Sequence, residues 1–352
     1  MKQTLRDFLC PQPKSKIKAG DGQLKGAYNF YTSSQIQSKF YHSATYTQPA
    51  LIFGTGGTAS VHYCNEPFST STDCLVMYGR HGAPLELIYY YLRSNMHLLQ
   101  DGFKGAGLQH ISKDYILNIN IDMPAPLLQK QITHQMRLID AMINGKKQQI
   151  LSFDEVVKSR FIELFGVYPS NPKGWETATI RDIVADVRYG SSRPAVDGGK
   201  YPYLRMNNIT YGGELDLTDT KRIDIPDNEL DKCTVRRGDV LFNRTNSKEL
   251  VGKTCVYNRD EMMVLAGFVI RVRVTERVLP EFLSAFLNTD FSKQMLLGMC
   301  KAAIGQANIN AQEMQNIGIY LPPTELQRQF VQFKKQTDKS KYYSSLSFRY
   351  CQ

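Results

Sequence analysis

The chain offers no C-x-x-C pair. Its seven cysteines, at 10, 64, 74, 233, 255, 300 and 351, are odd in number and scattered along 352 residues. That spacing argues against a disulfide scaffold or a zinc site, and predicts free thiols in a cytoplasmic protein. No window approaches the roughly 18 apolar residues of a membrane span. The opening MKQTLRDFLCPQPKSKIK has no apolar core of signal-peptide length, so no membrane association is expected. The six histidines, at 42, 62, 81, 97, 110 and 134, all fall in the first half without metal-ligand spacing, which predicts core or surface roles and no metal. FGTGGT (53–58) lacks the lysine of a P-loop and the full spacing of a dinucleotide fingerprint, so it reads as a hairpin or loop turn. Nothing here calls for a cofactor.

What is present is positive charge. Lys plus Arg total 43 against 33 Asp plus Glu, a formal net charge of +10, with 42% hydrophobic residues. A folded chain with this excess suits a polyanionic partner, nucleic acid first and an anionic membrane second. The length predicts two or three domains with ample core.

The sequence also repeats itself. TLRDF (4–8) matches TIRDI (179–183), APLELIYYYL (83–92) matches VLPEFLSAFL (278–287), and ISKDYILNINIDMPAPLLQKQI (111–132) matches INAQEMQNIGIYLPPTELQRQF (309–330). The offset grows from 175 at Thr4/Thr179 to 198 at Ile119/Ile317, so the second copy carries the longer loops, inserted mostly opposite residues 37–55 of the first. A period near 190 residues is a duplicated domain and not a solenoid, whose units run about 20 to 50 residues.

Within each copy, short runs such as YPYLRMNNI (201–209), DVLFNR (239–244) and MMVLAGFVIRVRV (262–274) have the β-branched content and period-two pattern of strands, while 280–296 reads as helix. The composition of elements is α+β. After each proline stop comes a longer helical pattern. In the first copy Leu128, Ile132, Ile139, Ile150, Phe153, Val157 and Phe161 recur mostly at three- and four-residue steps, as in a coiled coil. Asn144-Gly145 interrupts it at a cost of about 1 kcal/mol relative to Ala, marking a place for a kink. Gly166, Pro169 and Pro172 end it. The second pattern, with Leu326, Phe330 and Phe333, reaches the last residue about a dozen positions short of the first and reads as a shortened helix. The expected segments are 1–123, a helix at 124–166, a linker at 167–173, a second unit at 174–321 and the shorter helix at 322–352. Trp175, the sole tryptophan, is expected to anchor the second unit against the helix.

The order globular unit, long helix, globular unit, long helix resembles the specificity subunit of Type I restriction-modification systems. So do GWETATIRDI (174–183), YPYLRMNNI, RRGDVLFNRTNSKELVGKTCVY (236–257), IGQANINAQEM (304–314) and LPPTELQRQF (321–330), the last two being the more specific. The likeness spans essentially the whole chain. It implies two target-recognition domains of similar fold, each reading half of a split double-stranded DNA target. It also implies two helices paired as an antiparallel coiled coil with pseudo-twofold symmetry, which dock methyltransferase subunits, two in number, with restriction subunits as a further partner. Such a chain is a DNA-reading adaptor without catalytic residues. The shortened second helix departs from that pattern.

Basic loops on a strand platform supply phosphate contacts, and Arg, Asn, Gln and Ser can reach base edges. In the second unit the candidates are Arg188, Tyr189, Ser191 and Arg193 of RYGSSR, read as DNA contacts or a solvated turn, and Arg205, Asn207 and Asn208, read as base contacts or turn formers. Arg244, Asn246, Lys248 and Lys253 form a polar run that packing does not require, and Lys301 lies in a loop that is either readout or scaffold. In the first unit Lys16, Lys18 and Tyr31 compete with a plain solvated face. Thr55 and Thr58 sit in a loop whose backbone N–H groups suit phosphate. Two other functions compete. A DNA methyltransferase would need a [DN]-P-P-[FY] tetrapeptide, for which the chain offers only LPPT (321–324) and MPAP (123–126). A solitary DNA-binding scaffold protein is compatible with the same residues.

Overall fold

The computed structural model describes residues 3–105, 107, 109–300 and 307–349. By packing, the chain divides into two units, Met1–Asn144 and Gly145–Gln352. In the first, seven strands build two sheets: β1 (Leu9–Pro11), β2 (Tyr28–Tyr31), β3 (Lys39–Tyr41), β4 (Ala50–Gly54), β5 (Ser60–Cys64), β6 (Phe68–Thr70) and β7 (Cys74–Gly79). The larger sheet runs β1-β7-β4-β5, and the smaller runs β3-β2-β6 with β2 and β6 parallel. The central β4, ALIFG, is buried throughout because both of its faces are covered. Alternate side chains of a strand point to opposite faces. Leu51 and Phe53 therefore pack with Ile88 and Leu92 of the helix Leu85–Ser94, while Ala50 and Ile52 pack with Tyr31, Tyr46 and Phe68.

The second unit repeats this plan with β8 (Val184–Tyr189), β9 (Tyr201–Leu204), β10 (Lys221–Ile223), β11 (Thr234–Val235), β12 (Val240–Asn243), β13 (Thr254–Val256), β14 (Met263–Leu265) and β15 (Val269–Val274). Its sheets run β8-β15-β12-β13 and β10-β9-β14-β11, again with one parallel pair, β9 and β14. Val240 and Phe242 face the helix Pro280–Leu287, and Leu241 faces Leu204, Tyr257 and Leu265. The extra length falls chiefly between β9 and β12, where residues 205–220 form a longer loop and the helix Asp227–Cys233 is added.

The repeated strings are structural latches. Thr4 and Thr179 each donate a backbone N–H to the carboxylate three residues on, Asp7 at 2.8 Å and Asp182 at 2.7 Å, capping the turn they open. Between them Arg6 reaches Asn118 at 3.2 Å, and Arg181 reaches Asn316 at 3.0 Å. Each latch ties the first residues of a unit to the segment just before its long helix. Gln129 and Gln327 then donate to the carbonyls of Pro124 and Pro322, both at 2.8 Å, fixing the chain where each helix begins.

The long helix Pro126–Phe165 runs unbroken through Asn144-Gly145, so no break replaces helix at the predicted kink. It ends at Gly166, whose φ of +84° supplies the left-handed cap that glycine adopts without steric cost. In the first unit, ion pairs from Arg93 to Asp140 and from Arg137 to Glu86 hold the helix to Leu85–Ser94. In the second unit it runs antiparallel to the C-terminal helix Thr324–Arg349. Phe161 meets Phe330 at 5.2 Å between ring centroids, while Asp154, earlier on one helix, meets Lys341, later on the other, at 2.7 Å.

Of the residues expected on the helical seam, Phe161 and Phe330 lie in the core of the second unit beside Phe165 and Phe282, with Val157 and Leu326 packed against them. Phe333 lies under the Arg160 guanidinium. Ile132, Ile150 and Phe153 are half-buried, and Leu128 and Ile139 are exposed. Trp175 anchors as expected, donating its indole N–H to Phe165 O at 3.0 Å. Truncation at the aromatic junction, Phe161→Ala, is expected to cost about 3–5 kcal/mol of stability in urea unfolding. Leu138→Ala, on the exposed helix surface, should stay within about 0.5 kcal/mol of the parent.

Candidate nucleic-acid interface

At one end of the β8-β15-β12-β13 sheet, four segments converge through backbone bonds. Gly190 approaches the β14–β15 turn so closely that a Cβ there would lie 2.1 Å from Leu265 O. Ser191 donates to Leu265 O and Gly267 donates to Ser191 O, both at 2.7 Å. Arg244 donates to Phe268 O at 3.0 Å and accepts from Ile309 N–H at 2.9 Å. Thr245–Asn246 pairs with Ala307–Asn308. RYGSSR, the 244–248 run and residues 307–311 therefore form one surface, although the sequence spreads them over more than 120 positions.

The candidate side chains of the second unit differ in freedom. Arg188 pairs with Asp186 at 2.9 Å, Arg193 takes Glu229 in a two-pronged pair at 2.7 and 3.2 Å, and Arg205 pairs with Asp219 at 2.9 Å. The Arg193 guanidinium holds the Glu229 carboxyl below its usual range. Such exposed pairs are worth about 1 kcal/mol or less, so their arginines can exchange a carboxylate for a phosphate at little cost. Arg244 has no carboxylate partner among the described residues; its guanidinium lies 4.8 Å from the centre of the Tyr189 ring. Tyr189 is 43% exposed, Asn207 and Lys248 are exposed, and Asn246 is half-buried with its Oδ1 accepting from Ser247 N–H. Lys301 lies outside the described residues.

Several expected contacts belong to the fold instead. Ser191 is 5% exposed and its hydroxyl accepts from Arg193 N–H, as the buried Ser15 accepts from Ile17 N–H in the first unit. Asn208 is 2% exposed. It accepts from Arg205 N–H and donates to the carbonyls of Asp216 and Asp219, organising the 205–219 loop. Lys253 is 6% exposed and donates to Met206 O at 3.0 Å, so it holds that loop from beneath. Tyr31 is a core ring against Phe68, and burial pushes its phenol up. Thr55 commits its hydroxyl to Asp73 O at 2.8 Å. Lys16, Lys18 and Thr58 are exposed and remain on the first unit's surface.

Phe268, 52% exposed beside Arg244, was not among the residues singled out by sequence. MMVLAGFVIRVRV reads as one strand, whereas Ala266-Gly267 turns the chain between β14 and β15 and places Phe268 on the bend. The glycine inside a strand pattern was the available signal. Among the described residues no group of three or more His, Cys, Asp or Glu side chains is placed to hold a metal, and no helix is long and apolar enough to cross a membrane.

Fold and surface together define a tandem pair of related α+β units, each feeding a long helix. The chain belongs to the Type I restriction modification DNA specificity domain family, whose model matches residues 3–152 and 172–342. It is 23% identical over 243 residues to the Type I restriction enzyme EcoKI specificity subunit of Escherichia coli K12, a match covering 64% of this chain and 52% of that protein. The chain thus spans about half the length of that curated relative. The fold is shared with the Type-I restriction-modification S subunit of M. genitalium, with a TM-score of 0.58, 13% identity, and coverage of 100% of this chain and 92% of that one. It is equally shared with a chain from a structure addressing complex assembly and conformational transition of the type I R-M system, with a TM-score of 0.58, 16% identity and coverage of 100% and 94%.

On the helix Asp290–Met299, the half-buried Lys293 donates to Gly252 O at 3.2 Å. Burial, with the Lys253 charge added, pushes its ammonium down to about 8 from the ordinary 10.5. Between those values the unfolded chain binds more protons than the folded one, so this group makes stability rise with pH from about 8 to 10.5. Lys293→Met is expected to be the more stable protein in urea unfolding near neutral pH. Its advantage should shrink as pH rises through that window, and a gap independent of pH would contradict the assignment.

Proposed function

We propose that this chain is the non-catalytic DNA-reading subunit of a type I restriction-modification system. Each unit reads one half of a bipartite duplex target, and the helices dock methyltransferase subunits, one for each repeat. Restriction subunits complete the assembly, and the complex works in the cytoplasm on the chromosome and on entering DNA. The chain itself needs no cofactor.

The observation that carries this reading is divergence on a constant backbone. Thr55 donates to Asp73 O at 2.8 Å and accepts from Ile111 N–H at 3.2 Å, and Arg244 makes the same two bonds with Phe268 and Ile309. One framework position thus presents a short, internally satisfied hydroxyl in one unit and a guanidinium in the other. That is the pattern expected of two readers with different half-sites, because backbone scaffolding is conserved by geometry while the side chains that meet base edges set sequence.

Mapping methylated bases in cells that carry the chain with its methyltransferase, against cells carrying the methyltransferase alone, is expected to reveal two defined blocks separated by a fixed gap, seen only when the chain is present. Unchanged methylation would sink the proposal. In vitro, affinity for duplex DNA should fall steeply with salt, each phosphate contact contributing roughly 0.9 to the log–log slope. A slope near zero would remove the electrostatic part of the argument.

A further inference from the structure

The arginines of the second unit's surface are not equivalent. Arg188, Arg193 and Arg205 each have a carboxylate within 2.9 Å, whereas among the described residues Arg244 has a ring and carbonyls around it and no carboxylate. Its inner Nε is buried without a hydrogen-bond partner, and Nη1 makes only a long 3.5 Å contact with Gly267 O. The side chain is partly exposed, so the Nη end of the fork is the part left to meet a ligand. The ring beneath it is itself fixed, because Ala311 N–H donates to the Tyr189 hydroxyl at 2.9 Å. The backbone on either side is held by Phe268 and Ile309. The guanidinium is thus desolvated on its inner side, set over an immobilised aromatic face and, among the described residues, free of competing acid.

We propose that Arg244 is a pre-organised reader of guanine in the second half-site and that Tyr189 is its positioning residue. This rests on the DNA-reading function proposed above and deepens it to a base. Guanine is the base whose major-groove edge offers two adjacent acceptors, O6 and N7, and a planar two-pronged donor matches that edge. Stacking removes rotamer freedom before binding, so less is lost when the contact forms. A phosphate contact would need neither the ring nor the absence of a carboxylate, because a point charge suffices there and no planar two-pronged geometry is required. The first unit has Thr55 at the equivalent backbone position, so this guanine contact has no counterpart in the first unit.

The test is selection from a pool of randomised duplexes by the full chain, alone and with its methyltransferase subunits, comparing wild type with Arg244→Gln, Tyr189→Phe and Tyr189→Leu. Wild type is expected to enrich a split motif with an invariant guanine in one block. Arg244→Gln should reduce preference at that position about tenfold or more, leaving the other positions intact. Tyr189→Phe keeps the ring face but loses the hydroxyl that Ala311 N–H holds, so it should weaken the preference at that position less than Tyr189→Leu, which removes the face altogether. Uniform loss across all sequences, or no guanine at the affected position, would overturn the assignment while leaving the two-reader function standing. No motif enriched by wild type would fell both. Circular dichroism of each variant separates misfolding from lost readout, and Tyr189→Leu tests the position even where Arg244→Gln folds poorly.

Discussion

Four phenylalanine rings decide how the second unit meets its helices. Phe161 and Phe165 come from the last turns of the long helix, Phe330 from the second turn of the C-terminal helix, and Phe282 from the helix that covers the sheet. Aromatic side chains bury large areas and favour edge-to-face or offset contacts, so a cluster of this kind has few alternative packings. Both helices are thereby welded to the core of the second unit. Further along, the helix pair is held by charge, with Lys341 between Asp154 at 2.7 Å and Glu214 at 3.1 Å. Glu214 belongs to the inserted loop, so the helices and the loop share one contact.

The duplication separates what the fold requires from what it permits. The capped T-x-R-D turn, the arginine-to-asparagine latch, the glutamine-to-proline-carbonyl bond and the buried serine turn occur in both units with nearly the same distances. Each satisfies a backbone group or pins the chain near the start of an element, and any loss would leave a polar group unpaired. Where the two copies part company at Thr55 and Arg244, the backbone bonds persist while the side chains change; the loop 205–220 is instead added length in the second copy.

Charge is arranged by the same logic. Among the described residues most surface arginines have a carboxylate nearby, while Lys253 is buried and Lys293 half-buried, each donating to a carbonyl at an electrostatic cost. Burial of an ammonium opposes its charged form. The cost secures the 205–219 loop and the glycine turn at 252.

The order of elements, the duplication, the strand runs, the proline stops and the glycine cap were all determined by the sequence, because each rests on local chemistry: periodicity, ring constraint or left-handed φ. The family resemblance extended that to a function. Which polar side chains face outward was decided only by tertiary structure. Ser191 and Asn208 look like readers in a basic loop, yet the convergence of RYGSSR with the β14–β15 turn buries one, and the folding of 205–219 onto itself buries the other. Phe268 looks like core within an apolar run, yet a two-residue turn exposes it. Arg244 reads as one basic residue among several until Tyr189, 55 positions away, is found beneath it. Sequence spacing carries no information about such pairings, because they are set by strand register and loop closure across the whole unit.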